Sequence, residues 1–303
     1  MSVEQSEFQG ISASKTCSHV VGAVFGGKFR LWLVTFVHFL LLMIAFMALL
    51  EGFKLIRSNF VLALVPMGFG GIALFLVSAH LYFNLTRVYV FGPSYASFWS
   101  SFPPSYNREQ ASYGPKQRRA LKAGYMGFSG RFIVLLLVLR VLDEVSSRIG
   151  PFDNSGMSEF MAFALNSLIA YVFGVLAITF AGNMGAFLAV RAVGAPNKSW
   201  LLKHPRKGSD GLSNIAAGAF IYLFIWVPET VISWMYDSNM FDVLLSTEML
   251  AGITASFALA LYLCWQWIIF SCFGASNFSQ QYPDTKDYFL ELGDDAKPVM
   301  QKA

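Results

Sequence analysis

The chain is short of charge. Asp, Glu, Lys and Arg make up 13% of its 303 residues while 55% are hydrophobic, against the roughly 25% charged residues of a soluble domain. With a mean hydropathy of +0.53, a water-soluble core of this size cannot absorb so much apolar surface. A large separate soluble domain is therefore not expected. Cysteine is scarce as well: Cys17, Cys264 and Cys272 are an odd number without metal-ligand spacing, so they read as structural thiols and no metal site is expected. Also missing are G-x-x-x-x-G-K-[ST], H-E-x-x-H, G-x-S-x-G and any repeated C-x-x-C, the signatures of nucleotide-driven pumps, metalloproteases, serine hydrolases and thiol or zinc sites. No catalytic residue is identified, and any transport is passive, gradient-coupled or driven by another subunit. The net charge of +4 is ordinary for a membrane protein with basic loops and implies no nucleic-acid partner.

What the chain has is long apolar runs. A helix rising 1.5 Å per residue needs about 20 apolar residues to cross about 30 Å of hydrocarbon. Six stretches meet this: 31–50, 60–83, 125–145, 160–190, 212–236 and 249–273. The expected fold is all-α, a polytopic transmembrane helical bundle of six spans in a lipid bilayer. Residues 1–30 are polar and of mixed charge, with Glu4, Glu7 and Lys15 ahead of Lys28 and Arg30, and no small-residue cleavage site follows a short apolar core. They read as a retained N-terminal segment rather than a removable signal. Between the spans lie basic loops at 84–124 and 191–211, and residues 274–303 form an acidic tail carrying Asp284, Asp287, Glu291, Asp294 and Asp295.

Loop charge is independent of hydropathy and tests the count of spans. With six spans, and Arg131 counted at the mouth of the third with the loop before it, 18 Lys and Arg residues fall on the side of the N-terminus, 3 on the opposite side, and Arg140 within a span. The positive-inside bias then places both termini in the cytoplasm, with the inner membrane of a bacterium as the expected location. Omitting the third span would put the basic residues of Arg191 to Lys207 outside.

That third span is the least ordinary. Its uninterrupted apolar core, Phe132 to Leu139, is followed by Arg140, Asp143, Glu144 and Arg148. Offsets of three and four bring Arg140 alongside both carboxylates on one helix face. Charges at membrane depth cost about 2.5–3.5 kcal/mol each on insertion scales and usually face a bundle interior or a wet cavity. One reading is a polar cavity or ion path opening to the outer side. The other is a shallow helix whose charges cap it in water. On the fifth span Glu229 follows Pro228 at a depth near that of Arg140, so it either pairs with Arg140 or reaches the interface beside Trp234 and Tyr236. On the second, Pro66 precedes Gly68, Gly70 and Gly71, which implies tight helix packing.

His38 lies eight residues past Arg30, and His80 seven before Arg87; at helical rise both sit about 10–12 Å from the same side. They can face each other across the first hairpin, either as interhelical hydrogen-bond partners or as axial ligands of a b-type haem. In the basic loop, Lys116, Arg118, Arg119 and Lys122 form a short basic helix suited to anionic lipid headgroups or an acidic partner subunit. Two functions from different classes follow. The first is a non-catalytic integral subunit of a larger membrane assembly, such as a secretion, conjugation or translocation apparatus, docking other membrane subunits. The second is a small gradient-coupled transporter or channel whose path is lined by Arg140, Asp143, Glu144 and Glu229, with the bis-His haem protein a lesser alternative.

The topology is open to direct test in a cysteine-free background. Cysteines introduced as Ser155→Cys and Ser246→Cys are expected to react with an impermeant maleimide on intact cells, whereas Ser105→Cys and Ser199→Cys react only after permeabilisation. The opposite pattern inverts the assignment.

Overall fold

The structure, a computed structural model, describes residues 10–26, 29–56, 58–91, 115–149, 158–193, 208–237 and 248–281. Among them there are seven helices and no strand: α1 (Ala13–Phe25), α2 (Phe29–Ile56), α3 (Phe60–Phe91), α4 (Pro115–Ile149), α5 (Glu159–Ala192), α6 (Gly208–Asp237) and α7 (Glu248–Gln281). Six of them, α2 to α7, are long and apolar enough to cross a membrane, and they coincide with the six runs read from the sequence. Large apolar side chains such as Phe60, Val65, Phe69 and Leu137 stand fully outward, the surface that lipid rather than water covers.

The helices outrun the apolar stretches. The third span belongs to a helix of 35 residues, so the basic segment Lys116 to Lys122 is its first turns and not a separate surface helix. Residues 84–91 continue α3 and residues 274–281 continue α7; both stretches were expected as loop or tail. The remainder of the acidic tail and the aromatic segment 92–114 lie outside the described residues.

α7 is the hub, packing against α1, α2, α3 and α5. Its crossing with α5 is made by glycine on glycine: a Cβ on Gly185 would lie 2.6 Å from the Gly274 Cα, and one on Gly274 2.5 Å from the Gly185 Cα. Close approach of backbones through small residues is the main means of tight helix association in lipid, where burial of apolar surface supplies no driving force between helices. The Tyr82 hydroxyl fills the remaining space beside Gly185 and donates to the Phe270 carbonyl at 3.2 Å. From Ser78 to Phe91 every residue of α3 except Tyr89 is buried, so the second half of α3 is a post enclosed on all sides. The α2–α3 hairpin closes on Gly70, where a Cβ would meet Leu49 and the Ala45 carbonyl, and on Gly52, which faces Met67. Gly68 and Gly71 face open space, so of the glycines after Pro66, Gly70 is the one at the packing seam.

Arg87, assigned by sequence to a solvated loop, is 5% exposed. Its Nη1 donates to the Ala192 carbonyl at 2.7 Å, and its guanidinium lies 5.2 Å from the Phe91 ring centroid. Buried charge needs such partners, and a cation at the last turn of α5 is favoured by that helix's dipole.

The N-terminal segment is not a featureless lead-in. Ser12 caps α1 by accepting from the Lys15 amide, and the helix packs on α6 and α7. The Ile11 amide donates to Asp210 Oδ1 at 2.9 Å and the Ser12 amide to Gln280 Oε1 at 2.8 Å. Gln280 Nε2 in turn donates to Thr16 Oγ1 at 3.0 Å, while His19 Nδ1 and Ser276 Oγ share a bond of 2.9 Å. The starts of α1 and α6 and the end of α7 thus meet at one end of the bundle, called the α1 end below. Cys264 and Cys272 are buried thiols and Cys17 a half-buried one.

Overpacking a tight crossing costs about 1–3 kcal/mol. Gly185→Ala is therefore expected to lower the detergent-solubilised melting temperature by several degrees, while Gly71→Ala leaves it unchanged. Equal melting of the two variants would show that the crossing does not limit stability.

Candidate functional site

Among the described residues, a cavity of about 810 Å³ lies between α4, α5, α6 and α7. α4, α5 and α6 line it with residues toward their ends remote from the α1 end, and α7 with its middle turns. α6 packs on α5 and α1, and long side chains make its link to α7: Trp265 Nε1 donates to the Phe224 carbonyl at 2.9 Å. The space between these two helices is the cavity.

Each helix contributes one face. Leu139, Leu142, Asp143 and Ser146 line the cavity from α4, Asn166, Ala170, Phe173 and Gly174 from α5, Tyr222, Trp226 and Glu229 from α6, and Tyr262, Gln266 and Phe270 from α7. These spacings of three and four are the stripe of a helix. The sequence reading picked out Asp143 and Glu229 but not Tyr222, Trp226 or Tyr262. The missing signal was the stripe itself, polar or aromatic groups at successive turns of two apolar helices.

Local packing sets the aromatic positions. A Cβ on Gly174 would fall within the Tyr222 ring, so glycine there is what admits Tyr222 against α5. The Tyr171 hydroxyl donates to the Ala219 carbonyl at 2.8 Å, and its ring lies 5.7 Å from Tyr222 and 6.1 Å from Trp226. One further bond ties α5 to α6 nearer the α1 end, from Asn214 Nδ2 to Asn183 Oδ1 at 2.9 Å.

The charged residues divide into two groups. Arg140 Nη1 bonds Asp143 Oδ2 at 2.6 Å and Nη2 lies 3.5 Å from Glu144 Oε2, while Arg148 Nε bonds Glu144 Oε1 at 2.9 Å. The expected pairing along α4 is present. The side chains are largely exposed, 71% for Arg140 and 44% for Glu144, so the cluster faces outward and only Asp143 among its members lines the cavity. Glu229 stands apart from it on α6, where it lines the cavity and is itself exposed. Its neighbour is Tyr262, whose hydroxyl lies between the Glu229 carboxylate and the Gln266 amide. Among the described ion pairs Arg140 has Asp143 and Glu144 as partners, and an Arg140–Glu229 pair is not among them. The side chains of Trp234 and Tyr236 lie outside the described residues.

The other sequence candidates lie elsewhere. His38 and His80, 1% and 7% exposed, face each other across the first hairpin with ring centroids 5.8 Å apart, and Tyr125 packs edge-on against His80 at 5.7 Å. This pair belongs to the α2–α3–α4 contact and is separate from the cavity. Lys116, Arg119 and Lys122 are exposed on the first turns of α4; the side chain of Arg118 lies outside the described residues. Among the described residues no group of three or more His, Cys, Asp or Glu is placed to hold a metal ion.

The fold and cavity define a class: an all-helical protein with six helices long and apolar enough to span a membrane, and a partly open cavity of mixed apolar and polar lining between four of them. No protein family, curated protein or solved structure matches the chain.

If Gly174 exists to admit Tyr222, the two positions are coupled. Gly174→Ala alone is expected to destabilise by about 1–3 kcal/mol, and the same change in a Tyr222→Ala background by clearly less, since contacting residues give non-additive effects. Additive losses in thermal unfolding would uncouple them.

Proposed function

We propose that this protein is a small gradient-coupled transporter that takes a polar solute into the cavity between α4 and α7. The observation that carries the reading is the chamber itself, large, lined by hydroxyls, amides and two carboxylates, and built at the depth of six apolar spans. Polar groups within a lipid-embedded bundle are costly unless paired, wet or occupied, and packing alone gives no reason to hold such a space open. The half of the bundle nearer the α1 end is closed by buried Tyr82, Phe128, Phe273 and the Gly185–Gly274 crossing. That arrangement suits a chamber open to one side at a time. In this reading both termini are cytoplasmic, as the 18 to 3 division of Lys and Arg argues, and the chamber opens outward from a bacterial inner membrane.

A second reading, a docking subunit of a larger membrane assembly, draws on a different feature. Lys116, Arg119 and Lys122 stand exposed at successive turns of one helix continuous with a span, a rigid basic stripe that suits an acidic partner subunit or lipid headgroups.

The two readings separate in one set of measurements. In a cysteine-free background, Ser167→Cys in the cavity lining is expected to react with a hydrophilic methanethiosulfonate, whereas Leu168→Cys on the outward face does not. A Ser167→Cys that resists labelling makes the chamber dry and ends the transport reading. Co-purification of a stoichiometric partner, lost when Lys116, Arg119 and Lys122 are changed to Gln, supports the subunit reading instead.

A further inference from the structure

We infer that the solute is an organic cation, an amine or quaternary ammonium carrying apolar bulk, with Glu229 as its counter-ion. This rests on the reading of the cavity as a solute chamber and adds the chemistry of what fills it. Charge is the first argument. Among the described residues the cavity lining contains Asp143 and Glu229 and no Lys, Arg or His. Asp143 belongs to the α4 cluster, in which two arginines face two carboxylates, so its charge is already balanced. Glu229 is left as the unbalanced charge of the chamber: it is in none of the described ion pairs, and the neighbouring Tyr262 is neutral. An anionic solute would face that carboxylate with no cation in the lining to offset it.

The second argument is the wall. Phe173, Tyr222, Trp226, Tyr262 and Phe270 bring five aromatic rings to the same space. Ring faces attract cations, Trp most strongly, and aromatic cages with a nearby carboxylate are the usual means of holding ammonium groups that have few or no hydrogen bonds to give. Size is the third. At about 810 Å³ the chamber lies within the 300–1,000 Å³ typical of sites for small organic ligands. An inorganic divalent cation takes six or more oxygen ligands held close, and no cluster of that kind is present among the described residues.

A pair of ions of matched shape and opposite charge tests this on the full chain. The protein in phospholipid nanodiscs, with empty nanodiscs subtracted, is titrated with radiolabelled tetraphenylphosphonium and separately with tetraphenylborate. The expected result is saturable binding of the phosphonium with no competition from the borate, weakened at least about tenfold by Glu229→Gln, since the cation then loses its counter-ion. Glu229→Asp, which keeps the charge, is expected to bind within a few-fold of wild type and reports on folding. Equal binding of both ions makes the chamber a general apolar sink and overturns the proposal, as does phosphonium binding that ignores Glu229→Gln in a well-folded variant. If neither ion binds while Ser167→Cys still labels, the chamber is wet but not a cation site, and only this proposal falls. If neither binds and Ser167→Cys is silent, the solute-chamber reading falls with it.

Discussion

The contact between Gly185 on α5 and Gly274 on α7 is the constraint from which the rest of the bundle follows. In lipid, apolar side chains gain nothing by leaving the solvent, so helices associate where their backbones approach closely and where polar groups find partners. Two glycines face to face bring α5 and α7 to a separation no other residue pair allows. With that crossing made, α3 has one place to go, and its second half lies there with Tyr82 tucked beside Gly185 and bonded to the Phe270 carbonyl. Arg87 then reaches the end of α5 and satisfies the Ala192 carbonyl. Half of the molecule is thereby dense, and it is the half near the α1 end.

The other half is open for the same geometric reason. Helices that cross tightly at one end and do not coil around one another diverge at the other. α5 and α6 stay close because Gly218 admits Thr179 and Gly174 admits Tyr222. α6 and α7 do not, and the gap between them is spanned by Trp265 to a backbone carbonyl and by Tyr262 to Glu229. Polar atoms that would be unsatisfied against lipid are gathered on the faces of the gap. Small residues at one level of the bundle and large polar or aromatic ones at another are two parts of one arrangement.

Much of this was legible from the chain. Six apolar runs predicted six long helices because in hydrocarbon a backbone must satisfy its own hydrogen bonds, and a helix does so within one segment. The ion pairs of Arg140 with Asp143 and Glu144 were legible because they depend on helical spacing alone. Facing His38 and His80 across the hairpin was legible too, since both lie a few turns from the same charged boundary. Less legible were the ends of helices. Residues 84–91 and 274–281 look polar enough for loops, yet they are helical and largely buried, because α1 and the neighbouring helix ends supply partners that a local reading does not see.

The sequence by itself determined the solvent, the class of fold and the pairs that lie within one helix, because each of these follows from composition or from a fixed 1.5 Å rise. The tertiary structure alone decided that Arg87 is interior and that Ser12 and Thr16 bind the far end of the chain at Gln280. It also decided that Glu229 keeps company with Tyr262 and Gln266 while Arg140 pairs along its own helix. Those facts depend on which faces of distant helices meet, and that is set by the shape of small residues such as Gly174, Gly185 and Gly274 against their partners, a quantity no single stretch of sequence contains.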